Sequence, residues 1–276
     1  MKIDMIKNYY LYNGELFDVG KTINIEPPVI YEVIRIIDGV ALYEMEHIKR
    51  MKKSTKLIGY DIKRDMEKIS DDIKRLIEKN NVSNLNIKLL CNNFDSEEQD
   101  FYTYFIKSNY PSKEIYERGI HTILYNSERD NPNVKIIKDN FRKVINEKLK
   151  KEDAFEALLV NEEGYITEGS RSNIFFVKDN KVYTALGKKV LLGITRMKIM
   201  EVCKRFNIEV IETDIHENNI DKYDGAFMTG TSVNVLPIAT IDSRKYNSVN
   251  NNIIRKISEG YLDDMKNYIM SRKSDM

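Results

Sequence analysis

The order of short strand-like runs and amphipathic helices along this chain predicts an α+β fold. Three observations lead to that prediction. Runs of β-branched or alternating residues are short, turns rich in Gly and Asn separate them, and helical apolar patterns lie between them. With 276 residues, the chain is long enough for one large or two modest domains, each with a real core.

The composition argues against several classes of protein. Charged residues make up 32% and hydrophobic residues 42% of the chain, which is typical of a folded globular protein. A net charge of +1 lacks the basic excess of proteins dedicated to nucleic acids or anionic membranes. No run approaches the roughly 18 apolar residues of a membrane span, and no signal peptide is visible, so we expect a cytoplasmic protein. The two cysteines form no CxxC pair and the three histidines are scattered, so we expect neither a metal site nor a disulfide framework.

The first part of the chain predicts a small α+β unit. Turn signals such as Asn13-Gly14 and Asp38-Gly39 join its strands into hairpins. The expected elements, in order, are strands at Tyr9–Tyr12, Glu15–Phe17, Ile30–Ile37 and Val40–Tyr43, a helix from Glu46, a helix carrying apolar residues from Ile62 to Ile77, and strands at Asn86–Leu90 and Phe101–Lys107.

A polar, turn-rich stretch follows, and it is the candidate linker. The later elements are expected to be a helix at Phe141–Lys151, strands at Ala157–Val160, Asn173–Val177 and Lys181–Thr184, a helix after Gly193, strands at Glu209–Glu212 and Ala226–Thr229, and a helix from Ile253 to Met270. In the helix after Gly193, the spacing predicts an apolar face made of Met197, Met200, Cys203 and Phe206.

Two segments could bind a phosphate group. Gly193 precedes Thr195, which is suited to N-cap the following helix, and the N–H groups at such a helix start attract anions. Small hydroxyl residues follow an apolar strand end at Thr229–Ser232 and could wrap a phosphate as well. Taken singly, the first segment also fits a plain capped helix and the second an ordinary turn.

Two further segments carry an acid and an amine. Glu168 lies in Thr167–Asn173, either as an acid held toward a heterocyclic nitrogen or as an exposed glutamate in a hairpin loop. Lys135 enters an apolar run after a proline turn, where a desolvated lysine could form a Schiff base. A solvated surface lysine is the alternative, and composition gives no preference for Lys135 over Lys138.

Taken in order, these segments resemble the fold-type IV enzymes that use pyridoxal 5'-phosphate (PLP), the class IV aminotransferases. That family includes branched-chain and D-amino-acid aminotransferases and aminodeoxychorismate lyase. The matching segments are Tyr31-Glu32-Val33, Glu46–Arg50, Tyr165–Phe175, Gly193–Arg196 and Phe227–Thr231. The resemblance implies two domains: a small N-terminal α/β domain (1–118), a linker (119–134) and a larger β-rich C-terminal PLP-binding domain with flanking helices (135–276).

The resemblance also implies residue roles. Lys135 corresponds to the Schiff-base lysine, because its spacing to Glu168 is close to that of the family, and Lys138 ranks second. Glu168 faces the pyridine nitrogen. Tyr31 lines the substrate side near the lysine. The phosphate is expected to be bound by the Arg50 side chain, the N–H groups of Ile194 and Thr195, and the hydroxyls of Thr195 and Thr231.

By resemblance, the expected activity is transfer of an amino group from an amino acid to a 2-keto acid by a ping-pong Schiff-base mechanism. A homodimer is expected on the same ground. Two alternatives stay open: a lyase that releases pyruvate, like aminodeoxychorismate lyase, and a PLP-binding protein without turnover. A transaminase requires a keto-acid acceptor and a lyase does not.

The substrate side departs from the family pattern. Prolines stand in Asn24–Ile30, where most members have a glycine-rich stretch, so that loop is stiffer. The strand around Asn84–Cys91 lacks the arginine that some members use for a substrate carboxylate, and no tyrosine follows Lys135 at the branched-chain position. The substrate is therefore open.

Overall fold

A computed structural model describes residues 3–20, 23–137 and 139–274. Its contacts divide the chain into two units, each made of separate stretches of sequence. The first unit comprises Met1–Asn109, Val134–Lys138 and Met265–Met276, and the second comprises Tyr110–Asn133 and Asp139–Asp264. This division differs from the expected boundaries at 118 and 134, because the segment carrying Lys135 belongs to the first unit.

The first unit contains a sheet of six strands and two helices before its C-terminal segment. Its elements are β1 (Ile6–Tyr12), β2 (Glu15–Asp18), β3 (Ile30–Ile37), β4 (Val40–Ala41), α1 (Glu44–Leu57), α2 (Met66–Lys79), β5 (Leu85–Asn92) and β6 (Asp100–Ile106). The strand order is β2-β1-β6-β5-β3-β4, and every neighbouring pair is antiparallel.

The strands of this sheet bury side chains on both faces. Leu89 of β5 belongs to the main core with residues of α1 and α2, such as Met51 and Ile73. The next residue, Leu90, belongs to a second cluster with Tyr104 of β6. This alternation follows from the two-residue side-chain period of a strand.

Two elements of this unit are shorter than the sequence pattern predicts. The return strand expected at Val40–Tyr43 ends at Ala41, because Tyr43 turns the chain with a φ of 50° and Glu44 starts α1. The helix expected from Ile62 begins at Met66. Ile62 is buried in the core from the preceding loop, whose Lys63 N–H donates to Gln99 Oε1 over 3.0 Å.

The second unit is built around a sheet of ten strands. Its elements are α3 (Lys113–Arg118), β7 (Ile120–Asn126), α4 (Asp139–Lys151), β8 (Glu156–Val160), β9 (Tyr165–Gly169), β10 (Asn173–Lys178), β11 (Lys181–Thr184), α5 (Ile194–Arg205), β12 (Val210–Glu212), β13 (Ile215–His216), β14 (Gly225–Gly230), β15 (Asn234–Ile241), β16 (Arg244–Lys245) and the first part of α6 (Asn252–Ser274). The residues of α6 from Met265 onward belong to the first unit. Three short 3₁₀ turns lie at Gly187–Lys189, Glu217–Lys222 and Ser248–Asn250.

The strand order of this sheet is β12-β11-β10-β14-β15-β7-β8-β9-β13, with β16 paired to β15. The pairs β11/β12, β7/β8 and β7/β15 are parallel. A parallel pair needs a crossover connection, and α5 lies in the one between β11 and β12 while α4 lies in the one between β7 and β8. Strand β8 is buried throughout. Ala157 and Leu159 pack in the cluster that includes Leu149 of α4, and Leu158 packs in the larger core of the second unit, with Phe176 and Leu236.

Three expectations about this unit are corrected. The expected linker 119–134 contains strand β7, whose alternating residues were hidden by the polar stretch after it. Glu168 lies within a strand, β9, instead of in a loop. The buried face of α5 is formed by Ile199, Val202 and Cys203, while Met197 is 37% exposed.

Among the described residues, no helix combines the length and the apolar character that crossing a membrane requires.

Replacement of Leu89 by Ala tests the core of the first unit. Leu89 has no exposed surface, so its truncation should lower the free energy of unfolding by about 2–5 kcal/mol. The control is Leu57→Ala, because Leu57 is 54% exposed and its loss should change stability by about 0.5 kcal/mol or less. Urea unfolding measures both, and equal effects of the two variants would contradict the assigned core.

Candidate functional site

Lys135 lies on a short segment that continues the edge of β3 in the first unit. Tyr31 N–H donates to the Lys135 carbonyl over 3.2 Å, and Ile30 and Ile136 form an antiparallel bridge. The Lys135 N–H donates to Ser54 Oγ over 3.3 Å, and Val134 is buried in the core. The backbone on both sides of the lysine is therefore fixed by the sheet and by α1.

The Lys135 side chain lies against Tyr31. Its Nζ is 4.8 Å from the centre of the Tyr31 ring. Lys88 of β5 approaches the same ring, with its Nζ at 5.0 Å, and lies 5.9 Å from the Tyr104 ring. No sequence signal assigned a role to Lys88, which stands in the strand that lacks the expected arginine.

The proline-containing loop directly precedes these residues. The Pro27-Pro28 peptide bond is cis. Beyond it, the Val29 carbonyl accepts a hydrogen bond from Ile137 N–H over 3.1 Å. The loop that departs from the family pattern is thus attached to the segment that carries Lys135.

Arg50 of α1 is held by a buried carboxylate. Its Nε donates to Glu32 Oε1 over 2.7 Å and its Nη2 donates to Oε2 over 2.6 Å. This two-point contact fixes the plane of the guanidinium group. His47 Nδ1 lies 2.9 Å from Oε2 of the same carboxylate.

The positive charge around the Glu32 carboxyl favours its ionised form although the group is buried. Desolvation raises the pKa of the Glu32 carboxyl, but Arg50 and His47 outweigh it and lower the pKa to about 2. Burial lowers the pKa of His47, with the positive charges of Arg50 and Lys135 acting in the same direction and Glu32 opposing them. The arrangement therefore combines an ionised Glu32 with a charged Arg50 and a His47 that favours its neutral form.

In the second unit, Glu168 is buried and only 2% exposed. Its Oε1 lies 3.0 Å from Arg129 Nε, and its Oε2 accepts a hydrogen bond from Leu191 N–H over 3.2 Å. Arg129 also donates through Nη2 to the Ser170 carbonyl over 3.0 Å. The burial overturns the alternative of an exposed glutamate in a hairpin loop. No sequence signal singled out Arg129, which belongs to the expected linker.

The start of α5 differs from the expected capping pattern. Gly193, and not Thr195, is the N-cap residue, and no side chain caps the helix. Asn173 Nδ2 donates to the Leu191 carbonyl over 2.8 Å, and its Oδ1 occupies the space where a Cβ at position 193 would lie. Only glycine fits this close approach. The first N–H groups of α5, including those of Ile194 and Thr195, thus lack a side-chain cap and can bind an anion.

The third motif reaches the same end of the second unit. Asn173 of β10 pairs with Thr229 of β14, and the chain continues through Gly230 to the half-buried Thr231. Thr229 Oγ1 is buried and makes no hydrogen bond within the described part of the chain. The structure therefore brings Glu168, the α5 start and Thr229–Thr231 together.

The predicted residues fall into two groups, one in each unit. Tyr31, Arg50 and Lys135 lie in the first unit, and the remaining residues, Glu168, Ile194, Thr195 and Thr231, lie in the second. The alternative Lys138 lies outside the described residues. Beyond the prediction, the structure adds the partners Glu32, His47, Lys88 and Arg129. Glu32 and His47 were part of the matching segments, but without an assigned role.

Comparison with known proteins identifies the class. The sequence model of the family described as Amino-transferase class IV matches residues 29–241. A D-alanine aminotransferase from Bacillus licheniformis is 27% identical over 256 residues, which cover 86% of this chain and 90% of that protein. A branched-chain-amino-acid aminotransferase from Pseudomonas aeruginosa is 25% identical over 255 residues, covering 85% and 83%.

Solved structures agree in fold. The branched-chain amino acid aminotransferase from Thermobaculum terrenum, solved in its PLP-form, superimposes with a TM-score of 0.83 at 20% identity, covering 96% of each chain. The chain thus belongs to amino-transferase class IV and has its two-domain α+β fold. It is a PLP-dependent enzyme of the fold-type IV family.

The residues present fit PLP. Its aldehyde requires an amine, which Lys135 offers, and its pyridine nitrogen suits the buried carboxylate of Glu168. Each unit taken by itself also offers groups suited to a phosphate. These are Arg50 in the first unit, and the N-terminus of α5 with the hydroxyl residues Thr195 and Thr231 in the second. Two residues before Thr231, the buried Thr229 hydroxyl makes no hydrogen bond to any described residue.

The lowered pKa of Glu32 predicts a pH-dependent contribution to stability. Because the folded-state pKa lies below the usual value of 4.5, the stabilisation is present above pH 4.5 and is lost as the pH falls toward 2. The difference in free energy of unfolding between wild type and Glu32→Gln should therefore shrink over that interval.

Urea unfolding at a series of pH values measures this difference. Glu97→Gln is the control, because Glu97 is exposed and its replacement should not alter the pH dependence. A difference between wild type and Glu32→Gln that stays constant from pH 4.5 to 2 would contradict the assigned pairing.

Proposed function

We propose that this chain transfers the amino group of an amino acid to a 2-keto acid, in two half-reactions that share one PLP cofactor. The observation that carries the proposal is the Lys135 amine, held over Tyr31 on a backbone segment fixed to β3 and α1. A lysine that is only a solvated surface residue needs no such fixed backbone.

In the first unit, three side chains have separate tasks in this proposal. Lys135 binds the cofactor covalently through Nζ. Arg50, oriented by Glu32, binds the phosphate. Tyr31 supports the lysine side chain and lines the substrate side.

The second unit supplies the groups for the ring and for the rest of the phosphate. Glu168 accepts a hydrogen bond from the protonated pyridine nitrogen and keeps it charged. The N–H groups of Ile194 and Thr195 and the hydroxyls of Thr195 and Thr231 complete the phosphate contacts. Arg129 keeps Glu168 in place through the ion pair and through its bond to the Ser170 carbonyl.

Bound PLP supplies an electron sink for the α-carbon of the substrate. During turnover, the Lys135 Nζ would serve as the base near the substrate α-carbon. It moves the proton that leaves the substrate α-carbon, and Tyr31 limits the positions of its side chain. Over the full cycle, the amino group of the first amino acid would pass to the second keto acid. The water consumed when the first keto acid is released would be returned when the second is aminated.

Lys88 is proposed to bind the substrate carboxylate. Its ammonium group shares the Tyr31 ring with Lys135, so a carboxylate beside that ring meets a positive charge close to the reacting lysine. This places a cation on the substrate side, although the arginine of other members is missing.

The homodimer expected from the family resemblance and the cytoplasmic location stay predictions of the same proposal. Light scattering of the purified protein measures the oligomeric state.

Removal of the lysine tests the proposal. Wild-type protein with PLP should show a visible absorbance band that borohydride reduction traps on Lys135, and it should aminate a 2-keto acid. Lys135→Ala should lose both the band and the activity. Lys138→Ala is the matched control and should keep them. Peptide mapping after reduction identifies the modified lysine directly.

Three outcomes would overturn parts of the proposal. Normal activity in Lys135→Ala would remove Lys135 from its role. Pyruvate release without any keto acid would indicate a lyase. A wild-type protein that binds PLP but transfers no amino group from a full panel of amino acids would indicate a PLP-binding protein without turnover.

Lys88→Met tests substrate binding separately. Losing a charge-assisted contact should raise KM for the amino acid by about tenfold or more, while PLP binding stays unchanged. Lys53→Met, at an exposed position of α1, is the control for general loss of charge. Steady-state kinetics measures KM, and an unchanged KM in Lys88→Met would place the carboxylate contact elsewhere.

A further inference from the structure

Glu156 is a buried acid with no place in the mechanism described so far. It opens β8 and is 3% exposed. Its carboxylate accepts five hydrogen bonds and is surrounded by the turn that follows Glu168. A carboxylate so placed is well satisfied, since each oxygen offers lone pairs and donates nothing.

Four of the five donors belong to that turn, and the fifth is the N–H of Ala157, the next residue of β8. Oε1 accepts from Ala157 N–H (2.9 Å), Ser170 N–H (3.1 Å) and Ser170 Oγ (2.6 Å). Oε2 accepts from Arg171 N–H (3.3 Å) and Ser172 Oγ (2.9 Å). One side chain of β8 therefore binds three consecutive residues of the connection between β9 and β10.

The carboxylate also explains the glycine beside Glu168. A Cβ at Gly169 would lie 3.1 Å from Glu156 Cδ and would collide with the Ser172 hydroxyl. Glu156 thus fills the space next to the residue that directly follows Glu168. The Ser170 carbonyl, in the same turn, accepts the hydrogen bond from Arg129, which pairs with Glu168.

We infer that Glu156 is a positioning residue for the cofactor: it fixes the turn 169–172 and, through it, the Glu168 carboxylate and its partner Arg129. This inference rests on the proposed function, which assigns Glu168 to the pyridine nitrogen. Glu156 does not touch the cofactor. Its carboxylate sets the position of the residue that does.

Glu156→Gln tests this inference, because it keeps the size of the side chain and replaces one acceptor oxygen by an NH₂ donor. That NH₂ group would face either the Arg171 N–H, which then loses its acceptor, or the N–H groups of Ala157 and Ser170. The Ser170 N–H also donates to the Ala157 carbonyl over 2.9 Å, so Arg171 is the more sensitive amide. We expect the PLP dissociation constant to rise about tenfold. In the variant without PLP, the amides of the turn, and that of Arg171 in particular, should exchange with deuterium faster than in the wild type.

A double-mutant cycle separates positioning from general stability. If Glu156 acts through Glu168, the variant carrying both Glu156→Gln and Glu168→Gln should bind PLP as weakly as Glu168→Gln alone. Ser248→Ala is the control: Ser248 is a fully buried residue of the same unit whose Oγ accepts from Ala226 N–H, away from this turn. Any effect of Ser248→Ala on PLP binding should multiply with that of Glu168→Gln.

Titration of visible absorbance gives the dissociation constants, and mass spectrometry gives the exchange rates. Non-multiplying losses together with faster exchange in the turn support the inference. Losses that multiply, as for Ser248→Ala, or exchange rates equal to wild type overturn it. If Glu156→Gln does not fold, Ser172→Ala replaces it in the cycle, because it removes a single donor to Oε2 and predicts a smaller effect of the same kind.

Failure of the proposed function has a different signature. If Glu168→Gln binds PLP as tightly as wild type, the role given to Glu168 is wrong and the inference about Glu156 falls with it. If Glu168→Gln weakens PLP binding and Glu156→Gln does not, only the inference about Glu156 is wrong.

Discussion

The Glu32 carboxylate has no exposed surface, and it keeps its charge because Arg50 and His47 surround it. Without these partners, an ionised group at this position would cost several kcal/mol of desolvation. The same contact also restricts the conformation of Arg50. Arg50 has a long side chain with many rotamers, and two short hydrogen bonds to one carboxylate hold its guanidinium group in a single orientation. The proposed phosphate contact and the surroundings of Lys135 depend on this pairing.

The second unit also contains two buried acids, Glu168 and Glu156, but their hydrogen-bond partners differ in charge. Glu168 has a cationic neighbour, Arg129, and a backbone donor, Leu191 N–H. Glu156 has no cation among its five hydrogen-bond donors, which are backbone amides and hydroxyls. A carboxylate that binds neutral donors fixes backbone geometry, whereas one paired with arginine also sets the local charge.

The sequence predicted the fold class and most elements because apolar periodicity and turn residues are local signals. The β3 strand and the α4 and α6 helices could be placed in this way to within a few residues. Of the face predicted for α5, Cys203 is fully buried but Met197 is exposed. Apolar side chains stand on several sides of that helix, and which of them are buried depends on what packs against them. Strand β9 was not predicted because Thr167, Glu168 and Gly169 interrupt its apolar pattern.

The motifs identified by resemblance indicate residues expected to touch the cofactor, and these roles stay predictions. They did not indicate the residues that hold these in place. Arg129 and Glu156 stand 39 and 12 residues before Glu168, outside its motif. Their side chains meet Glu168 or its turn only after β7, β8 and β9 have paired. Lys88 was overlooked because the family pattern has an arginine in this strand, and the contact with Tyr31 depends on the antiparallel register of β3 and β5.

The path of the chain has a consequence for how this protein can be made and divided. The first unit takes residues 1–109, a short piece at 134–138 and the C-terminal residues from 265 onward, so neither unit is one continuous stretch. A ribosome that has released the first 109 residues has not yet supplied Val134, which belongs to the core of that unit. The first unit can therefore complete its fold only after nearly the whole chain has been synthesised. No single division of the gene gives the complete first unit, which carries Lys135, as one continuous piece.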